Sequence, residues 1–200
     1  LEHVTIGRPG GAITIGDNAF WYCPLSDLTL SEGVTSIGAD CFTGSGLERV
    51  ELPSTLETIG DQAFANCTSL AGSVTIPGGV TGLGEDIFSN SRITDMTIAY
   101  GVESIGNSAF ANCGALTSLT LPESLVTIGD SAFSGHSIPS LVIPDSVETI
   151  GAKAFYNYNY TVIMDVMVRG ESLPAMGEDA FPENTKLYLE ADADVGKTFD

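Results

Sequence analysis

The stretch TIGDNAF occupies residues 14–20, and the chain writes it again as TIGDQAF at 58–64, TIGDSAF at 127–133 and TIGAKAF at 149–155. Aligning on the last residue of the phrase gives Phe20, Phe42, Phe64, Phe88, Phe110, Phe133, Phe155 and Phe181, with spacings of 22, 22, 24, 22, 23, 22 and 26. Eight copies at this period are the signature of a solenoid, in which each repeat buries its apolar face only by stacking on its neighbours. Four residues before each Phe stands a glycine (Gly16, Gly38, Gly60, Gly84, Gly106, Gly129, Gly151, Gly177), always preceded by Ile, Leu or Met.

A second pattern falls about ten residues after each Phe. Residues 28–30, 50–52, 74–76, 96–98, 119–121, 141–143 and 166–168 read apolar, exposed, apolar, the period of a strand with one buried face. Pro53, Pro77, Pro122 and Pro144 follow four of them, where a missing N–H ends the ladder and turns the chain. Short β-branched segments such as 34–37 and 147–150 then run into the glycine, so each coil is predicted to carry a strand on each side. The Asp, Asn or Glu after the glycine (Asp17, Asp61, Glu85, Asn107, Asp130, Glu178) is expected to cap a short helical turn whose Ala and Phe face inward.

The unit LxxLxLPxSVxTIGDxAFxxC resembles the BspA-like leucine-rich repeat family, found mainly in bacterial surface proteins. The resemblance covers nearly the whole chain. It implies a right-handed superhelix of about eight coils of 22–26 residues, mainly short parallel β-strands joined by short helical or 3-10 turns. One domain is expected over 1–200, with repeat coils to 186 and a terminal strand and capping tail over 187–200.

Composition excludes several function classes. The chain has 200 residues, 43% of them apolar, and no run approaches the roughly 18 apolar residues of a membrane helix. Membrane insertion by this segment is therefore not expected. At Leu1 no basic region leads into an apolar stretch, so no signal peptide is read there. The 26 acids outnumber seven scattered bases, giving a net charge of −19, and a phosphate-tracking surface needs clustered Lys and Arg, so nucleic acid is not an expected partner.

The four cysteines offer no disulfide or zinc framework. Cys23, Cys67 and Cys113 each stand three residues after their Phe, and Cys41 replaces the Ala before Phe42. Coils stack at about 4.8 Å, so Cys23 and Cys67 lie roughly 10 Å apart, beyond the roughly 7 Å limit for a bridge. Four buried free thiols are expected. His136 shares the turn position of those cysteines and is read as a packed repeat residue, and no nucleophile elbow accompanies it or His3. ADADVGKT at 191–198 satisfies a relaxed phosphate-loop pattern but has no following helix to meet a phosphate. Neither catalysis nor a cofactor is expected.

Function is then expected on the ladder of mid-strand residues, read in order as Thr29, Glu51, Thr75, Thr97, Thr120, Val142, Met167 and Tyr188. The first five are polar, and the last three apolar or aromatic. Tyr156, Tyr158 and Tyr160, in the stretched repeat after Phe155, add amphipathic contact area of the kind interfaces favour. Val142, Met167, Tyr188, Tyr156, Tyr158 and Tyr160 are the candidate ligand-binding residues. The resemblance implies a secreted or cell-surface adhesion module for a protein or glycan ligand. A structural spacer presenting another domain is the alternative, and oligomeric state stays open.

Overall fold

The computed structural model describes residues 2–8, 10–157, 164–190 and 197–198. Its strands in chain order are β1 (His3–Ile6), β2 (Ile13–Ile15), β3 (Asp27–Leu30), β4 (Val34–Ile37), β5 (Thr58–Ile59), β6 (Ala71–Ile76), β7 (Gly82–Leu83) and β8 (Arg92–Ile98). They continue as β9 (Ser104–Ile105), β10 (Ser118–Thr120), β11 (Thr127–Ile128), β12 (Ser140–Ile143), β13 (Thr149–Ile150), β14 (Asp165–Arg169), β15 (Ala175–Met176), β16 (Lys186–Glu190) and β17 (Lys197–Thr198). Strands from successive coils stack in parallel into two columns, a front one and a back one, with the core between them. Only β17 departs, pairing antiparallel with β16.

The front column is broken twice, into β1–β3, β6–β8–β10 and β12–β14–β16–β17. The first break corrects a sequence expectation, because residues 50–52 form no strand. Val50 is buried and Glu51 exposed, as the alternation requires, yet the segment makes no ladder with either neighbour. Alternation reports which side faces the core, and pairing is a separate condition.

The eight Phe rings form one spine through the core. Consecutive centroids are 5.0–5.8 Å apart and the rings lie within 14° of parallel. That distance is close to the spacing of adjacent strands, so one coil advance serves both the backbone ladder and the ring stack. The six inner rings are fully buried, while Phe20 and Phe181 at the two ends are half-buried.

The turn carrying each Phe is neither α- nor 3-10-helical, which corrects the expected helical turn. The residue two after the glycine has positive φ in every coil: Asn18, Asp40, Gln62, Asp86, Ser108, Ser131, Lys153 and Asp179, between 52° and 59°. A left-handed residue there interrupts helix propagation, so i to i+3 bonds come only from alternate residues, as Ala19, Trp21 and Cys23 donate to the carbonyls of Gly16, Asn18 and Phe20. Alternate N–H groups point along the solenoid axis instead. Asn18, Phe20 and Tyr22 donate to the carbonyls of Ala39, Cys41 and Thr43 one coil on, at 2.8–2.9 Å, and Asp40, Phe42 and Gly44 repeat this to Asp61, Ala63 and Ala65.

The acid after the glycine also works between coils, not within its own turn as expected. Asp17 Oδ1 accepts the N–H of Ala39, Asp61 Oδ1 that of Glu85, Asn107 Oδ1 that of Asp130, and Asp130 Oδ1 that of Ala152, at 2.7–2.9 Å. The later glycines lie against the coil before them, Gly60 and Gly177 included, where Ala39 and Ala152 stand in place of the acid. A Cβ on Gly60 would lie 2.4 Å from Ala39 N, and one on Gly151 2.5 Å from Asp130 N, whereas one on Gly16 meets nothing within 4 Å.

Cys41, Cys67 and Cys113 are buried free thiols, and Cys23 in the first coil is half-buried. Burial pushes the Cys41 thiol up to about 12, so it is inert at neutral pH. Cys67 and Cys113 donate to the carbonyls of Phe42 and Phe88 one coil back. His136, at the same turn position, is buried with Nε2 3.1 Å from the Phe155 carbonyl, while Nδ1 accepts the N–H of Ile138 at 2.8 Å. These partners place its proton on Nε2 and hold the ring neutral, and burial lowers its pKa from 6.5 to about 4.

Two predictions follow from this packing. Gly60→Ala should destabilise the fold by about 2 kcal/mol or more, because backbone must move, whereas Gly16→Ala should stay within about 0.5 kcal/mol, as urea unfolding midpoints will report. For His136, the unfolded chain takes up a proton below about pH 6.5 while the folded chain does not until about pH 4, so stability falls as pH drops through that window. Between pH 7 and pH 4.5 the wild type should lose about 2–3 kcal/mol more than His136→Cys, which carries the residue of other coils at this position.

Candidate front-face groove

The candidate site lies on the front column over its last three coils. β12, β14 and β16 pair in register, placing Val142 beside Met167 and Met167 beside Tyr188. Inward-facing Leu141, Val166 and Val168 are buried in the core, which by strand alternation turns their neighbours outward. Val142 is 43% and Met167 37% exposed, and Tyr188 is half-buried. The earlier ladder residues, Thr29, Glu51, Thr75, Thr97 and Thr120, are all exposed and polar, so the apolar run is confined to this end.

These three side chains line a groove of about 650 Å³ that reaches across to Ser118, Leu119 and Thr120 of β10. The groove spans the second break in the front column, since β10 and β12 are not hydrogen-bonded. Pro139 contributes to that break. It stands where Thr117, in the coil before, donates its N–H to the Thr94 carbonyl at 3.0 Å, and proline has no N–H to give. Leu119 is half-buried, unlike its equivalent Leu141.

The rim is charged. Arg169 Nη1 bonds Glu123 Oε1, and Arg169 Nε lies 3.6 Å from Glu190 Oε2, with all three side chains about half exposed. Exposed pairs of this kind contribute little to stability, so their effect is to fix where the positive charge sits along the rim. Asp165 lies at the other end of β14, also against the groove. An apolar floor between charged rims buries a side chain while orienting the polar groups beside it.

The structure thus brings Val142, Met167 and Tyr188 together and leaves Tyr156 apart. Tyr156 is half-buried and lines a separate hollow of about 70 Å³ with Asn157, Asp179, Phe181, Pro182 and Glu183. Tyr158 and Tyr160 lie outside the described residues, as does most of 191–198.

Two features escape sequence reasoning. A polar hollow of about 410 Å³ forms at the first break, lined by Asp27, Leu28, Thr29, Leu30, Arg49 and Glu51, and beside it His3 Nδ1 pairs with Asp27 Oδ2 at 2.7 Å. No motif marks it, because it arises from the unpaired segment 50–52. Tyr100 is 78% exposed on the lateral turn, and the next residue, Gly101, donates its N–H to Ser124 Oγ, next to Glu123 of the rim. Its signal was present: four coils carry Pro at the strand exit, and this one has Ala99 followed by Tyr100. Among the described residues, no three His, Cys, Asp or Glu side chains converge on a possible metal position, and no helix is long and apolar enough to cross a membrane.

The model of the BspA type leucine rich repeat region matches residues 1–116, 35–162 and 81–189. Among solved structures, a leucine-rich repeat protein from Bacteroides ovatus is 28% identical, with a TM-score of 0.71 over 82% of this chain and 43% of that one. The T. pallidum leucine rich repeat protein is also 28% identical, with a TM-score of 0.64 over 75% and 72% of the two chains. A leucine rich cell surface protein from Faecalibacterium prausnitzii, 22% identical, shares the fold with a TM-score of 0.51 over 96% of this chain and 61% of its own. The chain therefore spans less than half the length of the Bacteroides protein. Comparison with curated proteins finds no match.

Proposed function

Because the chain belongs to the BspA-type leucine-rich repeat family, we propose that it is a non-enzymatic binding module at a cell surface, which recognises host proteins, matrix components or other cells through its front face. The observation that carries this reading is the in-register row of Val142, Met167 and Tyr188 on the groove floor, in a ladder whose other members are polar. Apolar side chains left outward in consecutive coils cost solubility and gain nothing in the core, so their use is contact with something else. Surface location rests on family membership, with the Faecalibacterium protein as one similar structure described as a cell surface protein. The spacer reading is favoured by the unbroken Phe spine, which makes the array stiff along its axis.

Binding to a panel of matrix proteins and glycans at low and physiological salt will test the proposal. Saturable binding is expected for the wild type, and Tyr188→Ala combined with Met167→Glu should weaken it by about thirtyfold or more without altering the unfolding midpoint by more than a few degrees. Binding that the double variant retains would place recognition elsewhere, and no binding to any member would favour the spacer.

A further inference from the structure

The charges around the groove are unevenly matched. On β14 the outward residues are Asp165, Met167 and Arg169, all exposed, with Val166 and Val168 buried between them. Arg169, at the strand exit, is already held by two carboxylates, Glu123 from two coils back and Glu190 from the next strand. Asp165, at the strand entry, also lines the groove. Its carboxylate has no ion-pair partner among the described residues, although Lys186 stands beside it in register on β16. The groove therefore carries one unmatched charge, and it is negative.

This arrangement lies inside the ladder. β14 is paired on both sides, by β12 and β16, and β17 covers the outer edge of β16. Outward residues two apart on a strand are separated by roughly 6.6 Å, which sets the distance from Asp165 to Met167 at the centre of the apolar row. An extended polypeptide has the same repeat, so one laid along β14 presents residues i and i+2 to Met167 and Asp165 together. Val142 and Tyr188 flank Met167 at about one strand spacing, roughly 4.8 Å, which makes the floor broad enough for a Leu or Phe side chain. A sugar fits this floor poorly, because its hydroxyls would find no partner on Val142 or Met167.

Building on the recognition face proposed above, we infer that its occupant is an extended segment of a partner protein in which a Lys or Arg stands two positions from an apolar residue. The apolar side chain lies on Val142, Met167 and Tyr188, and the basic one meets Asp165. Met167, with its flexible thioether chain, adjusts to the apolar side chain it receives. The net charge of −19 draws a basic segment toward the chain. An acidic segment is repelled by Asp165 and finds Arg169 occupied by Glu123 and Glu190.

Three rhodamine-labelled synthetic nonapeptides of Gly and Ser, each with one Phe and with Lys, Gln or Glu two residues from it, test the inference by fluorescence anisotropy. At low salt the Lys peptide should bind about fivefold more tightly than the Gln peptide and the Glu peptide least, and about 0.5 M salt should narrow the gap. Asp165→Asn, at an exposed residue with no ion pair to lose, should erase the preference for Lys with an unchanged unfolding midpoint, while Met167→Gln should weaken all three peptides. Equal binding of the three, or a Lys preference that Asp165→Asn leaves intact, overturns the inference; the recognition face itself stands if Met167→Gln still weakens every peptide. Peptide binding that Met167→Gln leaves unchanged overturns both. If no peptide binds, or if the groove-dependent ligand in the matrix panel is a glycan, the inference falls and the panel alone decides the recognition face.

Discussion

The approach of one coil to the next at the glycine is the constraint on which the remaining structure depends. With no side chain at Gly38 or Gly151, the preceding backbone comes within reach of an adjacent strand, and the acid of that preceding coil can take the next coil's N–H. This spacing keeps successive Phe rings in face-to-face contact and lets the alternate turn N–H groups find carbonyls one coil away. Were the coils further apart, three sets of contacts would weaken together. Small residues and rigid rings therefore recur at fixed intervals, while surface positions drift freely.

Much of the architecture was legible because repetition reports roles that single residues do not. The eight Phe and eight Gly positions marked the coils, and the alternation at 141–143 and 166–168 placed Val142 and Met167 outward, where the structure has them. What escaped depends on partners that spacing does not identify. An Asp after a glycine reads as a cap for its own turn, and only the left-handed residue that follows stops that turn and leaves the carboxylate to the neighbouring coil. Residues 50–52 carry a strand's alternation without a strand's bonds. Pro139 withholds one donor at the break the groove spans, and a single proline in a loop-like stretch carries no mark of a site.

The candidate surface illustrates how a regular scaffold acquires a distinctive place. A ladder that stacks Thr on Thr presents the same chemistry at each step. Where the bonding between two coils lapses, their side chains separate enough to make a concavity, and the outward residues of the next coils become its floor. Tyr156 shares the residue type of Tyr188 but sits at the end of the Phe turn, on another side of the coil, so composition alone grouped residues that the winding of the chain separates.

Because the same socket and the same ring contact recur at each junction, coils are interchangeable parts. Whole units gained or lost within the regular stretch preceding β10 would leave every new junction chemically equivalent to the old one, and the groove, which belongs to the last coils, would be carried along unchanged. Length and recognition can accordingly evolve as separate traits: the number of units sets how far the groove stands from the start of the array, and a few outward side chains set what it holds.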